Sequence, residues 1–354
     1  MRVVRRLSFW IAQKVWHNHI GQHECHRRKV IQLKRPRVYI TRKIPEAAVA
    51  KIREQCEVLM WEREDEPVPR DELASHIRNV DGVLTLLTDT IDASLLEQTE
   101  RLQVISNMAV GYNNIDVEAA SRKGIIVTNT PDVLTEATAD LTFALLMATA
   151  RRLVEASDFL RQGKWKTWSP MLLTGMDIYG STMGIIGMGR IGEGLARRAS
   201  GFGMKVLYHN RNRKPEAEQQ LGLQYVDLPT LLRESDFVCI MTPYTKETRG
   251  MIGKAELSMM KKTAILINTA RGGIVDETAL YEALKSGTIW AAGLDVFEQE
   301  PVPLSHPLLQ LPNVVTLPHI GSASVETRLK MADVAAENLL RVLKGEPPLY
   351  RVNP

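Results

Sequence analysis

The stretch TMGIIGMGRIG, residues 182 to 192, constrains this chain more than any other. A short apolar run that reads as a buried strand passes directly into Gly187-x-Gly189-x-x-Gly192. The residues behind it, RIGEGLARRASGFG, read as a helix. Strand, glycine turn and helix in that order open a βαβ unit that binds a dinucleotide. Gly187 permits the tight turn, Gly189 lets backbone approach a pyrophosphate, and Gly192 permits close helix–strand packing. With Met188, Arg190 and Ile191 they are the expected cofactor contacts, at a helix N-terminus that attracts an anion.

The same alternation runs along the chain. From Arg37, apolar runs that read as strands (RVYITR, EVLMWE, GVLTLL, LQVISN, IIVTN) alternate with segments that read as helices. One long apolar helix is expected over roughly Glu136 to Arg161. After the loop GKWKTWSPMLLTGMDIYGS the rhythm resumes with TMGIIG, KVLYH, DFVCIM, AILINTA, AAGLDVF and NVVTL. A last helix is expected over roughly Val325 to Leu343, stopped at Lys344-Gly345. A chain of 354 residues is long for one core. The pattern therefore predicts an α/β protein of two doubly wound parallel-sheet domains with a cleft between them.

Charge is unevenly placed. Residues 1–35 hold nine Lys or Arg against Glu24 alone, so a net +8 sits there and the remaining chain nets −4. A mildly acidic body excludes the basic footprint of a nucleic-acid binder. The basic segment is expected to be a disordered extension. Its His17, His19, His23, Cys25 and His26 fit no standard zinc spacing, and no metal is expected. Cys25, Cys56 and Cys239 make an odd, sparse set, which argues for a reducing compartment, hence the cytoplasm. No apolar run approaches the ~20 residues of a membrane span.

The strand KVLYH ends seventeen residues after Gly192, where an acid normally binds the ribose diol of NAD. Here stand His209, Asn210, Arg211, Asn212 and Arg213. No carboxylate is present to repel a 2′-phosphate, and two guanidinium groups can pair with one. NADP(H) is the expected cofactor, with NAD(H) the lesser one. The plainer reading is a solvated basic turn.

Three further residues follow strands that should open on the same rim: Arg271 in AILINTARGG, Glu300 after AAGLDVF, and His319 in NVVTLPHIGS. Singly, each is most simply a surface charge, a loop residue and a structural imidazole. Together they supply a cation for a carboxylate, a proton donor, and an acid to orient that donor.

GMGRIG, NTARGGIVDE, GLDVFEQEP and LPHIGSAS, in that order, resemble the signatures of the D-isomer-specific 2-hydroxyacid dehydrogenase family over about residues 36–345. MAVGYNNID, TEATADLTFALLMATARR and YHNRNRKPEAE are most similar to its glyoxylate and hydroxypyruvate reductase branch. The resemblance implies a flavodoxin-like substrate domain over 36–135 and 318–354 and a Rossmann coenzyme domain over 136–317. It implies that Arg271 binds the substrate carboxylate, that His319 is the general acid/base, and that Glu300 pairs with it. Leu86 and the backbone of Val110 and Gly111 would face the small 2-keto acid substrate. Thr138, Thr242, Thr269, Ala270, Asp295 and Gly321 would contact the cofactor, Asp295 through the nicotinamide carboxamide. It further implies a homodimer through the coenzyme domains, with KWKTWSP in a loop that reaches the neighbouring subunit; local packing of Trp165 and Trp168 is the equal alternative. Other activities open to such a chain are another family member, such as a phosphoglycerate dehydrogenase, and a non-enzymatic dinucleotide-sensing co-repressor.

Overall fold

The computed structural model describes residues 35–354. The basic segment with its histidines and Cys25 lies outside the described residues.

Five parallel strands form the first sheet: β1 (Arg37–Ile40), β2 (Glu57–Met60), β3 (Gly82–Thr85), β4 (Val104–Asn107) and β5 (Ile126–Thr128). Their order is β2-β1-β3-β4-β5. Helices α1 (Glu46–Arg53), α2 (Arg70–Ile77), α3 (Ala93–Glu97) and α4 (Val117–Arg122) make the crossovers. Helices on both faces bury both sides of each strand, which explains the near-continuous apolar runs. Tyr39, Val83 and Ile105 enter one layer, while Val38, Ile40 and Leu84 enter the other.

Next come α5 (Thr135–Ala150) and α6 (Leu153–Arg161), where the sequence pattern suggested a single helix. The break is at Arg152, which adopts φ 51 and ψ 37. Its cause is distant in sequence. The chain returns at residues 175–176 against the end of α5, where Met176 N–H donates to Ala150 O at 2.9 Å. A Cβ on Gly175 would lie 2.1 Å from that same oxygen. The α5 terminus is thus occupied, and α6, which buries no residue, turns away.

The second sheet has seven parallel strands: β6 (Thr182–Ile186), β7 (Lys205–His209), β8 (Gln224–Tyr225), β9 (Phe237–Ile240), β10 (Ile265–Asn268), β11 (Ala291–Leu294) and β12 (Val314–Thr316). Their order is β12-β11-β10-β9-β6-β7-β8, covered by α7 (Arg190–Gly201), α8 (Pro215–Leu221), α9 (Leu228–Glu234), α10 (Lys254–Met259) and α11 (Glu277–Lys285). β6 lies between β7 and β9, in register Ile186↔His209 and Ile186↔Ile240. The strand order reverses there, at the start of α7, which opens a crevice.

The last helix, α12 (Val325–Leu343), packs on the first sheet. Its Met331, Ala335 and Leu339 join the core of Val38, Ile40 and Leu84. Ser106 Oγ donates to Ala335 O at 2.8 Å. The chain end is tied to the same sheet, because Asn353 Oδ1 accepts from Val127 N–H and its Nδ2 donates to Ile125 O, each at 2.8 Å. Among the described residues no helix is long and apolar enough to cross a membrane.

Leu339 is fully buried between α12 and the first sheet. Leu339→Ala is expected to destabilise the protein by about 2–5 kcal/mol, read as a lowered urea midpoint.

Candidate active site

Arg271, Glu300 and His319 come together on the rim of the second sheet. They lie on loops beyond β10, β11 and β12, three to six residues after the strands end. His319 Nδ1 donates to Glu300 Oε2 at 2.6 Å. With Nδ1 engaged, Nε2 is the nitrogen left for a substrate. Burial alone would raise the Glu300 carboxyl. The His319 hydrogen bond and charge, the Phe297 N–H and the Arg271 charge outweigh it and hold Glu300 below the usual glutamate range. Burial likewise pushes Arg271 below the ordinary arginine value, with Glu300 opposing the shift.

Two buried side chains set these loops. Asp295, fully buried just after β11, accepts from Ile320 N–H and Gly321 N–H, each at 2.8 Å. His319 sits beside them with φ 54, a conformation uncommon outside glycine and one that a firm anchor stabilises. Burial raises the Asp295 carboxyl, against the two N–H groups and the His319 charge. Asn268, at the end of β10, accepts from Ala270 N–H and donates to Arg271 O at 2.8 Å. It fixes the turn from which Arg271 projects.

The first sheet supplies the opposite wall. Arg271 Nε donates to Asn113 Oδ1 at 3.2 Å across the cleft, and its guanidinium closely approaches Gly111. A Cβ on Gly111 would sit 2.0 Å from an Arg271 nitrogen, so any side chain there would displace the guanidinium from this position. A cavity of about 270 Å³ is lined by Leu87, Asn113, Tyr244, Arg271, Glu300 and His319, among others. The side chains of Leu86 and Val110 are half-buried and pack against the core of Val38, Ile40 and Leu84. Leu87, Asn113 and Tyr244 went unnoticed in the sequence. Asn113 carried a signal, as a polar side chain following Gly111 past β4.

The glycine loop has the form a pyrophosphate needs. Gly187 holds φ 102, and a Cβ there would lie 2.6 Å from Thr242 N. Helix α7 starts at Gly189 with no side-chain cap. Nothing lies within 4 Å of where a Gly189 Cβ would sit, so the approach to the helix N-terminus is open. Met188 is a core residue whose N–H donates to Asn210 Oδ1 at 3.1 Å. Ile191 packs against the core of the first sheet, and Arg190 pairs with Asp132 at 2.8 Å. Thr138 lies against Gly321, while Thr269 Oγ1 shares a 2.7 Å hydrogen bond with Thr142 Oγ1.

The basic turn after β7 resolves into unlike parts. Arg213 is held by both oxygens of Glu218, at 2.8 and 2.6 Å. That bond, with the Tyr208 hydroxyl, drops the Glu218 carboxyl to about 2. Arg211 and Asn212 are exposed, and among the described residues no hydrogen bond or ion pair holds the Arg211 guanidinium. Elsewhere, Trp165 and Trp168 are 56% and 75% exposed.

Residues 143–321 match the model of the D-isomer specific 2-hydroxyacid dehydrogenase NAD binding domain. The chain is 53% identical over 320 residues to a glyoxylate reductase of Korarchaeum cryptofilum, covering 90% of this chain and 96% of that one. Among solved structures it resembles a Thermus thermophilus protein at 47% identity and TM-score 0.84, over 89% of this chain and 99% of that one. It also resembles an NADPH-dependent glyoxylate/hydroxypyruvate reductase of Sinorhizobium meliloti in complex with NADP and malonate. That likeness has 37% identity and TM-score 0.78, over 90% of this chain and 97% of the other.

The depressed Glu300 carboxyl has a stability consequence. A folded-state value below the unfolded one contributes stability that is complete above the unfolded value and lost as pH falls through the folded one. The difference in urea midpoint between wild type and Glu300→Gln should therefore be full at about pH 7. It should shrink steadily below the ordinary glutamate range.

Proposed function

The chain belongs to the D-isomer specific 2-hydroxyacid dehydrogenase family, and from that premise we propose that it reduces glyoxylate and hydroxypyruvate with NADPH. The observation that carries this reading is the 2.6 Å His319–Glu300 pair facing Arg271 across a small cavity. About 270 Å³ gives room for a keto acid of a few heavy atoms. The similarity to glyoxylate reductases supports the same choice.

The residues divide the work as follows. Arg271 offers a planar fork to the substrate carboxylate and, with Asn113, turns the keto group toward His319. NADPH, when bound, supplies a hydride to the keto carbon. Negative charge then develops on the keto oxygen, and His319 delivers the proton from Nε2. Glu300 accepts from Nδ1 throughout, which fixes the ring's orientation and leaves Nε2 to the substrate. The open N-terminus of α7 and Gly189 would hold the pyrophosphate. Asn210, Arg211 and Asn212 would meet the adenosine ribose. Thr138, Thr242, Thr269, Ala270 and Gly321 would contact the cofactor further along the crevice. Closure of the two walls excludes water from the transfer.

We also propose a homodimer through the coenzyme domains. The segment between α6 and β6 exposes Trp168, Met171 and Tyr179 at 75%, 77% and 82%, an apolar strip that a second subunit would cover. Sedimentation at micromolar concentration should give twice the chain mass of 39.8 kDa. A monomer would remove this part of the proposal.

Turnover on a panel of 2-keto acids with NADPH and NADH tests the activity itself. His319→Ala should lose about 100- to 10,000-fold in kcat with little change in cofactor affinity. Arg271→Ala should raise KM as well as lower kcat, because it binds ground state and transition state alike.

NADPH should exceed NADH by about ten- to a thousand-fold in kcat/KM, or about 1.4–4 kcal/mol. Among the described residues no hydrogen bond or ion pair holds Arg211, which can therefore gain a 2′-phosphate; the turn itself carries no acid, and Glu247 lies within Coulombic range of Arg211. Arg211→Ala should remove most of the preference, while Arg213→Ala should remove less because Glu218 already holds that side chain. Equal kcat/KM for both cofactors at low salt would leave the turn a solvated basic loop.

A further inference from the structure

Behind the His319–Glu300 pair lies a second carboxylate and imidazole, Glu277 and His306. Glu277 is the first residue of α11, whose N-cap Asp276 accepts from Ala279 N–H at 2.9 Å. The Glu277 side chain is 11% exposed and that of His306 18%. Glu277 Oε2 lies 3.1 Å from His306 Nε2, and Oε1 accepts from Glu298 N–H at 2.6 Å. The other ring nitrogen, His306 Nδ1, is buried without a hydrogen-bond partner among the described residues. The imidazole ring meets Phe297 edge-on, centroids 6.0 Å apart. His306 therefore touches the 297–300 segment through Phe297 and through Glu277.

That segment carries Glu300. Its two successive N–H groups are read by two different carboxylates: Phe297 N–H by Glu300 Oε1 at 2.9 Å, and Glu298 N–H by Glu277. On its other side, Gly272 is so close that a Cβ there would fall 1.9 Å from the Phe297 carbonyl carbon. The loops bearing Arg271 and Glu300 are thus in backbone contact. A buried carboxylate that reads one peptide N–H holds it more firmly than water would.

We propose that Glu277 and His306 are positioning residues, which fix the backbone of residues 297–300 and so aim Glu300 at His319. Neither touches the cavity's reacting groups. Without Glu277 the Glu298 N–H loses its acceptor, the segment loosens, and Glu300 spends less time on His319 Nδ1. Displacement of a reacting group by about 1 Å can cost on the order of 100-fold in rate.

The inference rests on the reductase reading, and the experiment keeps the two apart. If that reading fails, the wild-type protein shows no turnover with any 2-keto acid. In an active enzyme, Glu277→Ala should lower kcat about 10-fold. The KM for keto acid and the NADPH dissociation constant should change by less than about three-fold. The deciding measurement is a double-mutant cycle with Glu300→Gln. If Glu277 acts through Glu300, then Glu277→Ala costs less than about two-fold once Glu300 is already gone. Equal losses in both backgrounds, or no loss in the wild-type background, overturn the proposal. His306→Gln, which keeps a donor for Glu277, should retain more kcat than His306→Leu; the reverse order also overturns it. Should the alanine variant fail to fold, the same cycle is read on Glu277→Met, which fills much the same space but offers no oxygen to Glu298 N–H. A loss confined to the background that retains Glu300 supports the proposal, and an equal loss or none overturns it.

Discussion

Every group at this site is placed by one constraint: within each sheet all strands run the same way. Parallel neighbours cannot be joined by hairpins, so each strand returns through a crossover, and like turns gather at one edge. The edge where β6, β9, β10, β11 and β12 end therefore receives the glycine loop, Thr242, Arg271, Glu300 and His319 together. The ends of β3 and β4 deliver Leu87 and Gly111 to Asn113 in the same manner. The Arg271–Asn113 hydrogen bond shows that the two edges face each other.

Within that frame, precision comes from carboxylates that read backbone N–H groups. Asp295 holds Ile320 and Gly321, Glu300 holds Phe297, and Glu277 holds Glu298. Burying a carboxylate is unfavourable unless it is hydrogen-bonded, and each of these is satisfied by peptide donors from a site loop. The arrangement holds His319 in its φ 54 conformation and keeps the Arg271 and Glu300 loops in contact. Groups fixed before the reaction need not be reorganised during it.

Charge at the crevice's other end is sorted by the same means. Three cations follow β7 in the sequence, Arg211, Arg213 and Lys214. Arg213 is neutralised by Glu218 and Lys214 by Glu193 at 2.8 Å. The effective positive charge is therefore concentrated on Arg211, with Asn210 tied into the glycine loop through Met188 N–H. The run of basic residues thus leaves one guanidinium without a hydrogen bond or ion pair among the described residues, within Coulombic range of Glu247.

The sequence by itself determined the fold class, the glycine turn and the three rim residues, because these follow from local rules: apolar periodicity marks strands and helices, only glycine fits the turn, and polar residues just past apolar strands fall on the rim. Tertiary contact decided the rest. The expected single helix over 136–161 is broken at Arg152 because residues 175–176 occupy the end of α5. Leu87 rather than Leu86 reaches the cavity, since a one-residue shift past the strand exchanges core for cleft. Asn113 and Tyr244 enter the site from separate sheets. The placement of α12 on the first sheet depends on which open apolar face remains when the second is complete. Asn268 and Glu277 read in sequence as ordinary polar residues near strand or helix ends, and Asp295 as a cofactor contact that the family resemblance implies. What makes them anchors is that each lies within 3.1 Å of a peptide group from a site loop, up to twenty-six residues away. Such pairings depend on the meeting of loops, and no periodicity along the chain records them.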